Sequence, residues 1–194
     1  MTGRRAALAW MAALPLLAAG CATPSAPPAP LPASFEATRW AGRFAVTMTE
    51  PGTEPRVERA SGRFVLESRA GKTLLELLSP LGQTMATAEL KDDRAELLTA
   101  EGRRFEAGSA EALTEQVFGW RMPVGDLPRW LRGRLDNPSE TVAGRSVAGT
   151  EHGWAIRLDD WRPAGPARLN LDWPAPPASG RTEINLKLIV DDVS

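Results

Sequence analysis

The sequence predicts a mainly β domain, an antiparallel sheet curled over a small helical layer, and three observations lead there. Apolar residues recur at every second position in one short segment after another, first at Trp40, Gly42, Phe44, Val46 and Met48. Gly- and Pro-containing turn signals separate these segments at short intervals. Midway the period changes to that of a helix for two short stretches, after which the two-residue period returns.

The chain begins with a segment that does not belong to that domain. Arg4 and Arg5 precede an apolar run over residues 6–19, broken only by Pro15, which ends in Leu16-Leu17-Ala18-Ala19-Gly20-Cys21. A charged start and an apolar stretch too short for the roughly 20 residues of a spanning helix read as a secretory signal over residues 1–20. Small residues leading directly into a cysteine resemble the lipobox of bacterial lipoproteins, in which the thiol is acylated and becomes the first residue of the mature chain. Ala18 stands where leucine is commoner, with Leu16 and Leu17 just upstream. The alternative is a signal cut at an A-x-A-like site, with Cys21 incidental. Cys21 is the only cysteine, so it cannot close an intramolecular disulfide, and acylation explains a thiol in an exported protein. Ala22 is not aspartate; by resemblance to the Gram-negative sorting rule, the expected address is the periplasmic face of the outer membrane. Residues 21–34 hold the lipidated cysteine and a proline-rich, uncharged stretch that cannot pack a core and reads as an extended tether.

The folded domain is expected over 35–194. Its first strand carries the Trp40 to Met48 alternation, and Glu50-Pro51-Gly52-Thr53 marks a turn. A second strand is expected over 59–68, with Gly62, Phe64 and Leu66 on one face, and Ala70-Gly71-Lys72 turns the chain. The segment 72–79 puts Leu75 and Leu77 on one face and Leu74, Glu76 and Leu78 on the other; it is too short between two turns for a helix and reads as a strand. Ser79-Pro80-Leu81-Gly82 suits a tight turn, leading into a strand over 83–91. Leu81 near that tip either folds back or points outward, and the turn alone favours folding back. Segments 94–100 and 102–107 form a hairpin around Glu101-Gly102, contributing Leu97 and Phe105.

The helical stretches follow. Ser109 is an N-cap, Glu111 suits a first turn, and Leu113 with Val117 makes a stripe ending at Gly119. A second helix is expected after Asp126 as N-cap, with Leu127, Trp130 and Leu131 in phase and a stop at Gly133. Helices this short need burial against the sheet. Strands resume over 141–148, 152–161 and 167–173; after a loop over 175–180, the last runs over 182–191 with Ile184, Leu186, Leu188 and Val190 in phase.

Composition excludes much chemistry. Without residues 1–20, about 174 of the 194 residues remain, enough for one core. Lys plus Arg falls from 23 to 21 against 24 Asp plus Glu, about three net negative charges, which gives no reason to propose nucleic acid or an anionic membrane surface as a partner. No phosphate loop, zinc-ligand spacing, nucleophile elbow or calcium loop is present, so neither cofactor nor metal is expected. His152, the single histidine, sits beside Gly153 with no nucleophile in sequence and reads as a solvated surface residue. The acidic pairs Asp92-Asp93, Asp159-Asp160 and Asp191-Asp192 read as solvated turns or strand ends. The 7 Trp and 5 Phe with no Tyr imply a large apolar interior. A curled sheet either fills that interior with side chains or keeps it open for an apolar ligand, and composition does not choose.

The segments WAGRFAV from Trp40, Gly62-Arg63-Phe64, LLELLSPLGQTMATAEL, LTEQVFGWRMPVGDLPRWLRG, Gly153-Trp154 and the final LKLIV strand together resemble the LolB family of outer-membrane lipoproteins. The resemblance implies an open antiparallel β-barrel with a short helical lid and an apolar cavity for acyl chains. It implies a receptor, not an enzyme, that takes lipoproteins from a LolA-like periplasmic carrier and inserts them into the outer membrane, acting as a monomer. It also implies that the turn leucine, Leu81 here, projects and serves membrane insertion, reversing the preference drawn from the turn alone. Asp191-Asp192-Val193-Ser194 departs from the family pattern, which has a late tryptophan. Cavity or lid candidates are Trp40, Phe44, Phe64, Leu75 and Leu77 from the sheet and Leu113, Val117, Trp130 and Leu131 from the helices. The competing readings are a lipoprotein that binds another apolar ligand and a purely structural lipoprotein with a filled core.

Overall fold

The computed structural model describes residues 38–50, 52–173 and 182–194. Residues 1–20, Cys21, the tether, the onset of the domain at Phe35 and the loop 175–180 lie outside the described residues. Among the described residues eleven strands and two short helices follow in the order β1 (Arg39–Glu50), β2 (Arg56–Arg69), β3 (Lys72–Leu78), β4 (Thr84–Lys91), β5 (Arg94–Thr99), β6 (Arg104–Ala107), α1 (Ala110–Phe118), α2 (Leu127–Leu131), β7 (Pro138–Val142), β8 (Arg145–Glu151), β9 (Trp154–Arg162), β10 (Gly165–Trp173) and β11 (Glu183–Val193).

All strands belong to one sheet, ordered β6-β5-β4-β3-β2-β1-β11-β10-β9-β8-β7. Neighbours are antiparallel, and β1 is joined to β11 across a register shift at Ala41/Gly42. The edge strands β6 and β7 are consecutive in the chain and do not pair with each other; the helical stretch between them connects the two edges. The barrel is therefore open. Alternation sends Trp40, Phe44, Phe64, Leu66, Ile156, Leu158, Leu169, Leu171, Ile184 and Leu188 to one face, where they pack with the helices in a single cluster. At Gly62 the sheet needs a residue without a side chain, since a Cβ there would lie 2.8 Å from the Phe44 ring and 2.2 Å from the Leu78 carbonyl oxygen.

Two sequence expectations need correction. Segment 141–148 is not one strand. Ala143 and Gly144 both take positive φ, 49° and 75°, and reverse the chain between β7 and β8 with Val142 opposite Arg145. This is the two-residue hairpin turn whose twist matches the flanking strands, and Ala70-Gly71 makes it too, with φ 47° and 77°. The second correction concerns Asp126, which does not cap α2. It is helical (φ −86°, ψ −16°) at the end of a 3₁₀ turn, Val124–Asp126, that runs directly into α2. Its carboxylate bonds Arg129 (2.8 Å) and His152 (3.0 Å) instead. α1 keeps its expected ends: the Ser109 hydroxyl accepts from the Ala112 N–H at 3.1 Å, and Gly119 closes it at φ 78°.

Candidate functional site

Beneath the helices, on the β2–β5 side, the inner face leaves a cavity of about 240 Å³. Its origin is legible in the cross-strand pairs. Ala60 faces Val46, Ala86 faces Leu77, and Ala88 lies between Leu75 and Leu97. Alanine at these three inward positions leaves the space a larger side chain would fill. A register shift between Leu77 and Leu78 skips Met85, so that Met85 and Ala86 both reach the cavity. The remaining wall comes from Phe44, Val46, Met48, Phe64, Leu90, Leu186 and Leu188 in the sheet. Ala110, Leu113, Thr114 and Phe118 of α1 cover it, with Trp120, Met122, Val124 and Leu127 beyond.

Among the described residues Thr114 is the only one on this wall with a hydroxyl, and its oxygen is engaged, accepting from the Met122 N–H at 2.8 Å and donating to the Glu111 carbonyl at 3.1 Å. Such a wall attracts only an apolar guest. Met85 and Phe118 line the cavity and are also 41% and 46% exposed, which marks its mouth.

Of the sequence candidates, Phe44, Phe64, Leu75, Leu77 and Leu113 lie on the wall. Trp40, Trp130 and Leu131 do not; they are fully buried among packed neighbours. The Trp40 ring lies under the Arg132 guanidinium, 4.8 Å from centroid to carbon. Val117 packs against the smaller cluster of Ala88, Ala95, Leu97 and Leu113 and is not on the wall either. The sequence reading missed the alanines, Met85, Phe118, Trp120 and Met122. The signal for the alanines was present: in the strand over 83–91 the alternate positions 86 and 88, before Leu90, are alanine where other strands carry Leu, Ile or Phe.

Leu81 is 90% exposed. Its turn is self-contained: the Gly82 N–H donates to the Ser79 carbonyl (2.9 Å), the Ser79 N–H to the Gln83 carbonyl (2.8 Å), and the Gln83 N–H to the Ser79 hydroxyl (3.2 Å). With Pro80 at the second position and Gly82 at φ 86°, this is a type I turn closed by a glycine bulge, and it holds the leucine beyond the strand ends. Folding back, the preference from the turn alone, does not occur.

A buried ionic cluster ties α2 to β8. Glu151, 5% exposed, accepts from Arg129 at 2.6 and 3.2 Å, from the Trp130 indole at 2.7 Å and from the Asp136 N–H at 2.5 Å. Burial alone would raise its pKa. The donors and the charge of Arg129 outweigh that and hold it at about 2, while the Arg129 pKa is raised by the same partner. His152 is exposed, as expected, but adopts φ 49° and pairs with Asp126 at the rim of this cluster. Among the described residues no group of three or more His, Cys, Asp or Glu is placed to hold a metal, and no helix is long and apolar enough to cross a membrane.

Residues 36–192 match the family described as Outer membrane lipoprotein LolB. An Outer-membrane lipoprotein LolB from Bordetella petrii is 36% identical over 188 residues, 93% of this chain and 88% of that one. One from Dechloromonas aromatica is 34% identical over 182 residues, 91% of each chain. A third, from Bordetella pertussis, is 35% identical over 133 residues, 66% of each. With an open barrel, a short helical cover and an apolar cavity between them, the chain belongs to the outer-membrane lipoprotein LolB family.

Proposed function

We propose that this chain is an outer-membrane receptor that takes lipoproteins from a LolA-like periplasmic carrier, shelters their acyl chains in the cavity and inserts them into the membrane. In this reading residues 1–20 are removed, Cys21 carries the acyl anchor at the periplasmic face, residues 21–34 are the tether, and 35–194 are the working domain. Leu81 is the membrane contact, and Phe44, Phe64, Leu75, Leu77 and Leu113 contact the chains. The protein transfers cargo and does not transform it.

The single observation that carries the reading is the apolar cavity whose one hydroxyl residue already has partners. Its physical need is clear. At about 0.8 kcal/mol per buried CH₂, three chains of roughly 15 methylenes carry on the order of 35 kcal/mol of transfer cost. Such cargo cannot cross water unaided, and each handover requires only that the next site be more favourable, about 1.4 kcal/mol for every tenfold. A volume of about 240 Å³ is below that of a typical small-molecule pocket, so the helical cover moves outward when cargo enters.

The test mixes the Cys21→Ala chain, with and without Leu81→Glu, with carrier loaded with labelled lipoprotein and with liposomes. Both versions are expected to accept cargo, and only the version with Leu81 to deposit it. If neither takes cargo from the carrier, the receptor reading fails.

A further inference from the structure

A second concavity lies over the outward residues of β1, β2 and β11, and unlike the cavity it carries cationic side chains. On β1 and β2 the residues alternating with Phe44, Gly62 and Phe64 are Arg43, Ala45, Ser61 and Arg63. Together with Lys187 and Ile189 of β11, with Pro80 and with Phe44 and Gly62 themselves, they line a hollow of about 350 Å³. The register builds it. Arg43 lies directly opposite Arg63, and in the next row Ala45 sits between Ser61 and Lys187, so small residues form the floor and cations the rim.

Two arginines directly opposite each other disfavour the sheet unless an anion offsets them. Asp191 does so for Arg43 alone, accepting two hydrogen bonds at 3.0 and 3.1 Å. Among the described residues neither Arg63 nor Lys187 has a carboxylate within ion-pair distance; the ion pairs made from β1, β2, β10 and β11 are those of Arg39, Arg43 and Arg168. Asp159 is bonded by Asn170, the residue opposite Lys187, and Glu76 by Thr84. The domain is net acidic overall, so this cluster is local and is not a reflection of composition.

Its position selects the occupant. Arg63 is paired with Leu78, at the end of the strand that leads into the Ser79-Pro80-Leu81-Gly82 turn, and Pro80 itself forms part of the hollow. An exposed leucine and unpaired cations therefore share one end of the molecule, the combination that suits a surface with an apolar interior and anionic headgroups. We propose that Arg63 and Lys187, with Arg43, form a headgroup site for an anionic phospholipid of the bilayer into which Leu81 dips, and so fix the orientation in which the domain meets the membrane.

This inference rests on the membrane role proposed above for the turn, and the two can fail separately. The processed chain, residues 21–194 carrying Cys21→Ala, is floated with phosphatidylcholine vesicles and with vesicles containing phosphatidylglycerol. At about 1 kcal/mol for each cation near the surface, Arg63→Gln with Lys187→Gln should weaken binding to the phosphatidylglycerol vesicles about thirtyfold and leave binding to phosphatidylcholine unchanged. Added salt should erode the difference between the two vesicle types for the parent chain. Far-ultraviolet circular dichroism and cargo uptake from the carrier, measured on the same variant, should match the parent. Equal binding of the parent chain to both vesicle types would overturn the site, as would a doubly substituted chain that keeps the full preference. Loss of uptake with vesicle binding intact would also overturn it, by making the patch a carrier contact. A change in how Leu81→Glu deposits cargo bears on the turn alone.

Discussion

The two sides of the inner face are built from the same antiparallel pairing and differ in what their side chains do with the space. On the β9–β10 side, Ile156, Leu158, Leu169 and Leu171, with Ile184 of β11, are at most 2% exposed and cluster with Trp130 and Leu131, none of them on the cavity wall. On the β2–β5 side, Leu75 and Leu77 stay half-buried, and Ala60, Ala86 and Ala88 leave the hollow. The helices follow the same division. α2 is bound to β8 through Glu151, whereas α1 rests on its cap, on Thr114 and on a small cluster. A cavity lined by hydrocarbon costs dispersion and burial energy, so one side holds the fold together while the other is left underpacked for a guest.

The largest test of that division removes a large side chain from each side. Trp130→Ala should cost about 3–5 kcal/mol, because it opens a void in a filled core and takes a donor from Glu151. Leu77→Ala, which only widens space already present, should cost no more than about 1–2 kcal/mol. Urea midpoints measured on both variants check this. Equal losses would mean that the cavity side carries as much of the fold as the filled side.

Next in size is the ionic cluster. Glu151→Gln leaves Arg129 facing a neutral partner and should cost about 3 kcal/mol at neutral pH. Because the Glu151 pKa is depressed from its ordinary value of 4.5 to about 2, its contribution is present above about pH 4.5 and is lost as pH falls toward 2. The stability difference between parent and Glu151→Gln should therefore shrink across that window. A difference constant with pH would contradict the ionic account of how α2 is held.

How much of this could be read beforehand depended on whether the signal was local. Strand periods, the Ser109 cap and the Gly119 stop are local, and the elements appear where they point. Leu75 and Leu77 declared their face by alternation with Glu76. Ala143-Gly144 was equally local and repeats the Ala70-Gly71 turn, but the apolar residues around it are too few to mark two separate strands. Trp40, Trp130 and Leu131 could not be separated from Phe44 and Phe64, since every inward apolar residue has the same period whether it meets another side chain or a void. That distinction depends on which strand lies opposite. Asp126 misled for a related reason: its carboxylate is taken up by Arg129, three residues on, and by His152, 26 residues away, and makes no capping bond to its own helix.

A smaller effect on stability, but a larger one on function, is expected from filling space. Ala88→Leu adds bulk where the cavity has room and should change stability by less than about 1 kcal/mol, while weakening binding of an apolar fluorescent dye at least about tenfold. Ala167→Leu adds the same bulk in the filled half, where Ala167 is 3% exposed, and should cost about 1–3 kcal/mol with dye binding unchanged. Thermal unfolding and dye titration on the two variants are the measurement. Should Ala88→Leu bind dye as the parent does, the hollow is not where apolar guests go.

The smallest expected change concerns the turns, which separate the inner face from the strands that carry it. Ala70 and Ala143 are exposed, each holds a left-handed φ that costs an alanine about 1 kcal/mol, and each precedes a glycine in the same conformation. Asparagine tolerates that region, so Ala70→Asn on the hollow side and Ala143→Asn on the filled side should each stabilise by a few tenths to about 1 kcal/mol. Equal gains in global stability would place the whole asymmetry in side-chain volume, with both hairpins unfolding together with the rest. If Ala70→Asn instead raises hydrogen-exchange protection of β2 and β3 without moving the global midpoint, that hairpin opens below the global transition. The underpacked side would then be loose in its backbone as well as hollow in its core, which is the behaviour a wall that must widen for cargo requires.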